Sequence, residues 1–362
     1  MNFDFTEDQQ ALRDQVRRVL TSSCPMSEVR RVLNGEQAYA DRAWRQLGEL
    51  GFLGAAVGTD HGGAGLGVVE LCVIAEEVGR ALAPIPIASS IYAATTLLDS
   101  VGGDGARAKL ATLASGAAIA AMPALSQIPA RDVRVVRGAV SGSIPMVRDG
   151  SRADDVLVVT KGGGTLQLHA VNLSQNGVLR MRRETLDPTL DFTDLQFDDA
   201  RVETLGALDA NQLVALRDRL AVLSAFEHLG AAETCLEMAR NYALQRTAFG
   251  RPLAQFQAIR HKLVDVYAAV TLARAHAYYG AWALARDSVE LPLAAASALV
   301  SSVEALDTAA REGLHVHGGI GFTWEHDCHL FYRRARAAAN SLGPIADWKA
   351  RITDLLEQRN AA

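Results

Sequence analysis

The densest concentration of reactive side chains is HVHGGIGFTWEHD, residues 315–327, with three histidines, three glycines, two carboxylates and a tryptophan. Histidines could ligate a metal, and His315, His317, His326 and His329 are the candidates. His315 and His317 are one residue apart, and no Cys/Asp/His spacing around them completes a zinc pattern, so no metal is expected. Gly318, Gly319 and Gly321 could instead let backbone amides approach an anion. There is no Gly-x-Gly-x-x-Gly after a strand and no lysine of the Walker type, and a lone glycine cluster between helices reads as a turn. A second stretch, LQRTAFGRPLAQFQAIRHKLVD, residues 244–265, carries Arg246, Phe249, Gly250 and Gln257. Read locally, it is a helix end with a basic residue placed favourably for the dipole, then a turn, then a new helix.

The elements that must position these residues follow from composition and period. The 362 residues are 49% hydrophobic and 21% charged, the balance of a folded chain. A net charge of −5 argues against a broad nucleic-acid-binding surface. Cys24, Cys72, Cys235 and Cys328 form no Cys-x-x-Cys pair and read as reduced thiols of a cytoplasmic protein. The opening MNFDFTEDQQ is too polar for a signal peptide, and no apolar run reaches the ~18 residues of a membrane span. Thr6-Glu7-Asp8-Gln9 predicts a capping box ahead of a helix whose Leu12, Val16, Val19 and Leu20 share a face. AWRQLGELGF predicts a helix ending near Gly51, and VVELCVIAEEVGRALA another, stopped by Pro84 and Pro86. A further helix is expected over ASSIYAATTLLDSV. From about Ile119 the helical period fades. VRVVRGAV, DDVLVVTKG, GTLQLHAVNL and TLDFTDLQFDDARV are short, β-branched and bounded by turn residues, the pattern of antiparallel strands ending near residue 205. Helices are expected again over 209–245, 253–287 and 291–314, rich in alanine for close packing. The fold class is α+β, with no internal repeat. Its segments are 1–117, helical; 118–205, β; and 206–362, a helical bundle.

Arg246-x-x-Phe249-Gly250 followed by Gln257, and later His317-Gly318-Gly319-x-Gly321-Phe322, together resemble the C-terminal signatures of the acyl-CoA dehydrogenase family. TEDQQALRDQVRRVL, AWRQLGELGFLGAAVGTDHGGAGLG and EEVGRALAPIP resemble that family's N-terminal landmarks. The resemblance spans nearly the whole chain. It implies an N-terminal helical domain, a middle antiparallel β-domain and a C-terminal four-helix bundle, with FAD held across a subunit interface. By that resemblance Arg246 supplies charge to the flavin diphosphate and Phe249 packs on the nucleotide. Gln257 and His315, the latter where a glutamine is usual, contact the cofactor, and Gly318 and Gly319 admit a close backbone approach. The implied reaction is α,β-dehydrogenation of an acyl-CoA thioester. A carboxylate takes a proton from the α carbon, and the flavin takes a hydride from the β carbon before passing electrons to an acceptor flavoprotein.

The catalytic parts depart from the family. Where a Tyr-Glu-Gly-Thr segment supplies the base, this chain has Ser341-Leu342-Gly343-Pro344. The alternative base position, on the helix before Arg246, falls at about Leu220. Asp218 and Asp347 are nearby carboxylates, and Glu227 matches a scaffold glutamate, so the catalytic residue is left unassigned. AAMPALSQIPARD and SGSIPMVRDG replace the β-domain segments that face the flavin ring, putting Met146 and Arg148 near the tryptophan and threonine positions. Elements that reach a neighbour's flavin are kept, and those that hold flavin and base within one protomer are lost. This resembles the partner subunit of two-subunit acyl-CoA dehydrogenases of steroid-degrading bacteria, which often has His-Val-His-Gly-Gly. The reading is a non-base-carrying subunit in a heterotetramer acting on an acyl-CoA, including one with a bulky steroid side chain. Its alternatives are a homo-oligomeric dehydrogenase with a displaced base and a catalytically silent assembly subunit.

Overall fold

The computed structural model describes residues 5–162 and 164–361. Its backbone contacts group into two compact units: Met1–Thr21, Cys72–Ala83 and Ala221–Ala362 form one, and Ser22–Leu71 with Pro84–Leu220 the other. The units interleave along the chain and so do not follow the three expected segments in order.

The chain opens with α1 (Glu7–Ser23), α2 (Met26–Leu33), α3 (Asp41–Glu49) and α4 (Val68–Arg80). The α1 start is the expected capping box. Gln9 N donates to Thr6 Oγ1 at 3.2 Å, and the Gln9 carboxamide oxygen accepts from Thr6 N at 3.0 Å. Gly51, at φ +75°, ends the α3 region as expected. α4 stops at Arg80, and Leu82 takes φ +50° before Pro84. The helix expected over residues 88–101 begins as a π-helical turn, Ala88–Ala94, before α5 (Thr95–Val101) and α6 (Asp104–Ala114).

The middle strands are β1 (Ala120–Ala121), β2 (Val133–Val136), β3 (Ala139–Arg148), β4 (Asp155–Gly162), β5 (Thr165–Asn172), β6 (Val178–Arg182), β7 (Phe192–Arg201) and β8 (Glu203–Leu208). They form two four-stranded sheets, ordered β1-β4-β5-β8 and β2-β3-β7-β6. The β2–β3 hairpin turns through Arg137 and Gly138, both at positive φ, the two-residue connection whose twist matches the strands. The pairing is antiparallel with one exception that corrects the expectation: β1 runs parallel to β4. A parallel neighbour needs a long crossover. Residues 122–154, carrying β2 and β3, provide it. β8 also carries the strand block beyond residue 205, to Leu208.

The C-terminal helices are α7 (Ala210–Gln245), α8 (Gln257–Ala285), α9 (Leu291–His317), α10 (Cys328–Ala338) and α11 (Ile345–Ala361). α9 is the central one, packed on α8, α10 and α11. Leu291–Phe322 has the length and composition of a membrane span, yet 61% of its apolar window is buried among these neighbours.

In the unit that holds these helices, α4 and α7 meet backbone to backbone. A Cβ added at Gly79 would lie 1.8 Å from the Glu227 carbonyl oxygen, and one at Gly230 would lie 1.9 Å from that of Glu76. Beside the crossing, Glu76 and Glu77 are almost fully buried, each side chain 1% exposed. Arg13 reaches Glu76 at 3.1 Å and Arg17 grips both oxygens of Glu77 at 2.7 and 2.8 Å. Burial pushes the Glu76 carboxyl up, and the nearby Arg13 and Arg274 pull it back. Alanine at position 230 gains about 1 kcal/mol in helix propensity. Its methyl has no room, so Gly230→Ala is expected to destabilise by about 1–3 kcal/mol net. Urea unfolding would read this as a lower midpoint at unchanged slope, whereas a stabilised variant would deny the close crossing.

Candidate functional site

Arg246 lies just past the end of α7, where its amide still donates to Tyr242 O at 2.8 Å. The expected simple turn is a miniature hairpin, with β9 (Thr247–Ala248) paired to β10 (Arg251–Pro252) around Phe249-Gly250. Both turn residues have positive φ, +52° for Phe249 and +78° for Gly250. Such turns favour Asn, Asp or Gly at the first position. A bulky residue there is strained by about 1–3 kcal/mol. Phe249 is also 95% exposed. Its ring touches Phe256 edge-on at 6.2 Å between centroids, and the Arg251 guanidinium lies over Phe256 at 4.2 Å. A strained turn therefore displays an aromatic ring that the described residues leave almost fully exposed.

Gln257 is exposed as the first residue of α8. An apolar cluster of Ala239, Ala243 and Val316 draws the ends of α7 and α9 together, and Leu253 from the turn before α8, with Ile259 and Leu263 from its start, packs against it. The Arg246, Gln257 and Gly318 positions thus lie at helix ends that share one small core. His315 is exposed on the last turn of α9 and hydrogen-bonds Glu312 through Nδ1 at 3.4 Å. Lys262 of α8 pairs with the same carboxylate. Burial works to raise the Glu312 carboxyl, but the hydrogen bonds from Lys262 and His315 outweigh it and hold the group low.

α9 ends at His317. Gly318, at φ +63°, turns the chain into a short 3-10 segment, Gly318–Phe322. Gly319 has no unusual φ, and a Cβ on it or on Gly318 would meet nothing within 4 Å. Nothing among the described residues requires glycine at 319. A bare backbone with open space above it, on a helix end that shares one apolar cluster with the helix end carrying Arg246, fits a dinucleotide: amides and guanidinium for phosphates, an exposed ring for a base or sugar face. These residues would hold the nucleotide part of a flavin.

The candidate bases are placed differently. Leu220 is buried on α7, and Asp218 is 1% exposed and paired with Arg217 Nε at 3.5 Å. A cavity of about 170 Å³ beside this part of α7 is lined by Leu125, Ile128, Leu213, Val214, Leu216 and Arg217, with no carboxylate among them. Leu342 sits in the bend after α10, where its carbonyl accepts from Trp348 Nε1 at 3.0 Å. Asp347 is exposed in the first turn of α11. Glu227 lies at the α4 crossing, where its backbone meets Gly79. In the β segment Met146 adopts φ +53° at a register shift of β3, and its amide donates to Asp194 Oδ1 at 2.9 Å. Arg148 faces Asp149, with 3.8 Å between Nε and Oδ2. Gln127 donates to Pro145 O at 2.8 Å, tying residues 125–127 to the Met146 loop.

Four histidines, His315, His317, His326 and His329, are the metal-ligand candidates in the sequence. The structure instead groups His317 and His326 with Cys328, one donor atom from each lying within 4.8 Å of the other two. The missed signal is the thiol two residues past His326, which only the fold of the 318–327 connection brings back to His317.

Two family models match the chain: the acyl-CoA dehydrogenase N-terminal domain over residues 6–117 and the acyl-CoA dehydrogenase C-terminal domain over residues 217–346. The acyl-CoA dehydrogenase IpdE2 of Mycobacterium tuberculosis is 33% identical over 339 residues, 93% of each chain. A chain of the ChsE4-ChsE5 complex from Mycobacterium tuberculosis superposes with a TM-score of 0.90 at 26% identity, covering 99% of both chains. A chain of a Tcur3481-Tcur3483 steroid ACAD variant does so with a TM-score of 0.88 at 26% identity, over 98% of this chain and 99% of that one. With a shared sequence running almost end to end and both terminal domain models matched, the chain belongs to the acyl-CoA dehydrogenase family.

Proposed function

We propose that this chain is the non-base-carrying subunit of a heteromeric, FAD-dependent acyl-CoA dehydrogenase. The observation that carries the reading is Phe249, a strained ring that is 95% exposed and touches only the edge of Phe256 among the described residues. When bound, FAD supplies the hydride acceptor for α,β-dehydrogenation of the acyl-CoA thioester. Arg246 places a fixed positive charge for the diphosphate. Phe249 packs on the nucleotide and excludes water. Gln257 and His315 offer hydrogen bonds, and Gly318 and Gly319 leave room for the backbone to approach. Two further observations support a partner for the rest of the site. By the resemblance, Leu342 stands at the usual base position and the alternative base position falls at about Leu220. In the β segment, the Gln127–Pro145 bond closes together the two loops that would face a flavin ring.

The partner is a second acyl-CoA dehydrogenase-like subunit that brings the carboxylate and holds the flavin ring. The likeness to a chain of a steroid ACAD supports an acyl-CoA with a bulky steroid side chain as substrate. A cytoplasmic location and an electron-acceptor flavoprotein complete the proposal.

The direct test is the visible absorbance of the chain purified alone and with its partner. Colourless protein alone and stoichiometric flavin in the complex are expected. Stoichiometric flavin in the chain alone would favour a self-sufficient homo-oligomer, and a complex without turnover would favour an assembly subunit. In the complex, Arg246→Ala removes a charge-assisted contact of about 1.5–3 kcal/mol and should weaken flavin retention accordingly. Unchanged flavin affinity would sink the cross-subunit assignment. Leu342→Glu should not create dehydrogenase activity in the chain alone, because Pro344 and the β-segment loops also differ. Steady-state turnover appearing in that single variant would contradict the reading.

A further inference from the structure

The connection from α9 to α10 holds a side-chain cluster that flavin binding does not use. His317 is the last residue of α9, Cys328 the first of α10, and His326 lies between them. His317 and Cys328 are buried and His326 is half-buried, so the cluster is sheltered but reachable from solvent through one member. Cys328 Sγ lies 3.3 Å from His317 Nδ1, and the rings of His317 and His326 are 4.4 Å apart. On the other side, the Tyr242 ring backs His317 at 4.4 Å.

We propose that His317, His326 and Cys328 form a zinc site that ties the end of α9 to the start of α10. Two imidazoles and a thiolate are a donor set suited to a borderline-soft d¹⁰ cation, which takes four tetrahedral ligands. With Zn–N near 2.0 Å and Zn–S near 2.3 Å, neighbouring donors of a zinc tetrahedron lie about 3.5 Å apart. The His317–Cys328 pair, at 3.3 Å, is already close to that edge. All three donors fall within 4.8 Å, so closure needs a shift of about 1 Å. Water fills the fourth position.

Proton balance is simple. The Cys328 thiol gives its proton to solvent as the Zn–S bond forms, and each imidazole binds as the neutral ring. His317 now donates through Nδ1 to Gly313 O at 2.7 Å. The nitrogen 3.3 Å from Cys328 Sγ is this same Nδ1, so zinc binding exchanges the Gly313 hydrogen bond for the metal. The ion would clamp the Gly318–Asp327 connection at both ends, fixing the turn in which Gly318 and Gly319 sit. The inference does not depend on the proposed subunit role, because its readout is metal content and not turnover.

The test uses the full chain, stripped with chelator and then titrated with zinc chloride, with cobalt(II) as the spectroscopic probe. The expected result is one tightly held zinc per chain. A sulfur-to-cobalt charge-transfer band should appear, with ligand-field bands of a four-coordinate ion. His326→Gln, at the half-buried position, should weaken zinc roughly tenfold or more. Cys328→Ala should abolish the charge-transfer band, and His329→Gln should leave both signals unchanged. The proposal is overturned if no stoichiometric zinc binds, if cobalt shows no thiolate band, or if binding survives both His326→Gln and Cys328→Ala.

Discussion

Two helices of this fold touch at their backbones. Gly79 on α4 and Gly230 on α7 leave no space for even a methyl group, and the contact brings each glycine against a carbonyl of the opposite helix. Such an approach makes dispersion contacts along both helices. It also buries Glu76 and Glu77, which would be costly if unpaired. Arg13, Arg17 and Arg274 neutralise them. α1 is therefore held by ion pairs to the same helix that α7 crosses. The C-terminal end of α7, fixed in direction by that crossing, carries Arg246 and the Phe249 hairpin.

Much of this was legible in the sequence because the physics is local. The Thr6–Gln9 capping box is a reciprocal bond within one turn, and Gly51 ends a helix by its own φ. The strands announced themselves by β-branched residues between turn residues. What was not legible depends on distant partners. The parallel β1–β4 pair joins Ala120 to Asp155 across an intervening hairpin, and no periodicity reports that. The Phe249 turn read as an ordinary helix connection, since nothing in Ala-Phe-Gly-Arg reveals a phenylalanine at positive φ. The family motif pointed to the residue; its strain and exposure came only from the fold. The grouping of Cys328 with His317 was invisible for the same reason, because eleven residues of sequence collapse to 3.3 Å only after the chain turns at Gly318.

The side proposed to hold the nucleotide and the side where the resemblance would place the base have opposite characters. The first is open. Arg246, Phe249, Gln257 and His315 are all exposed, and the two glycines face empty space. The second is self-satisfied apart from the exposed Asp347. Asp218 is buried beside Arg217, the Leu342 carbonyl is bound by Trp348, and Met146 and Gln127 spend their hydrogen-bonding capacity within the chain. Polar groups already paired are costly to redirect to a ligand. The division between open and closed matches the motifs that the resemblance reads as kept and as replaced.

The apolar length of α9 carries a consequence for how the protein is made. Leu291–Phe322 could cross a bilayer by composition alone, and it stays in the folded core because α8, α10 and α11 cover it. Two of those three covers follow it in the sequence. During synthesis from the N-terminus, α9 leaves the ribosome while α10 and α11 are still inside or unmade. For that interval the most lipid-like segment of the chain is bare on two sides, a natural client for a holding chaperone and the point where a stalled or truncated product would begin to aggregate.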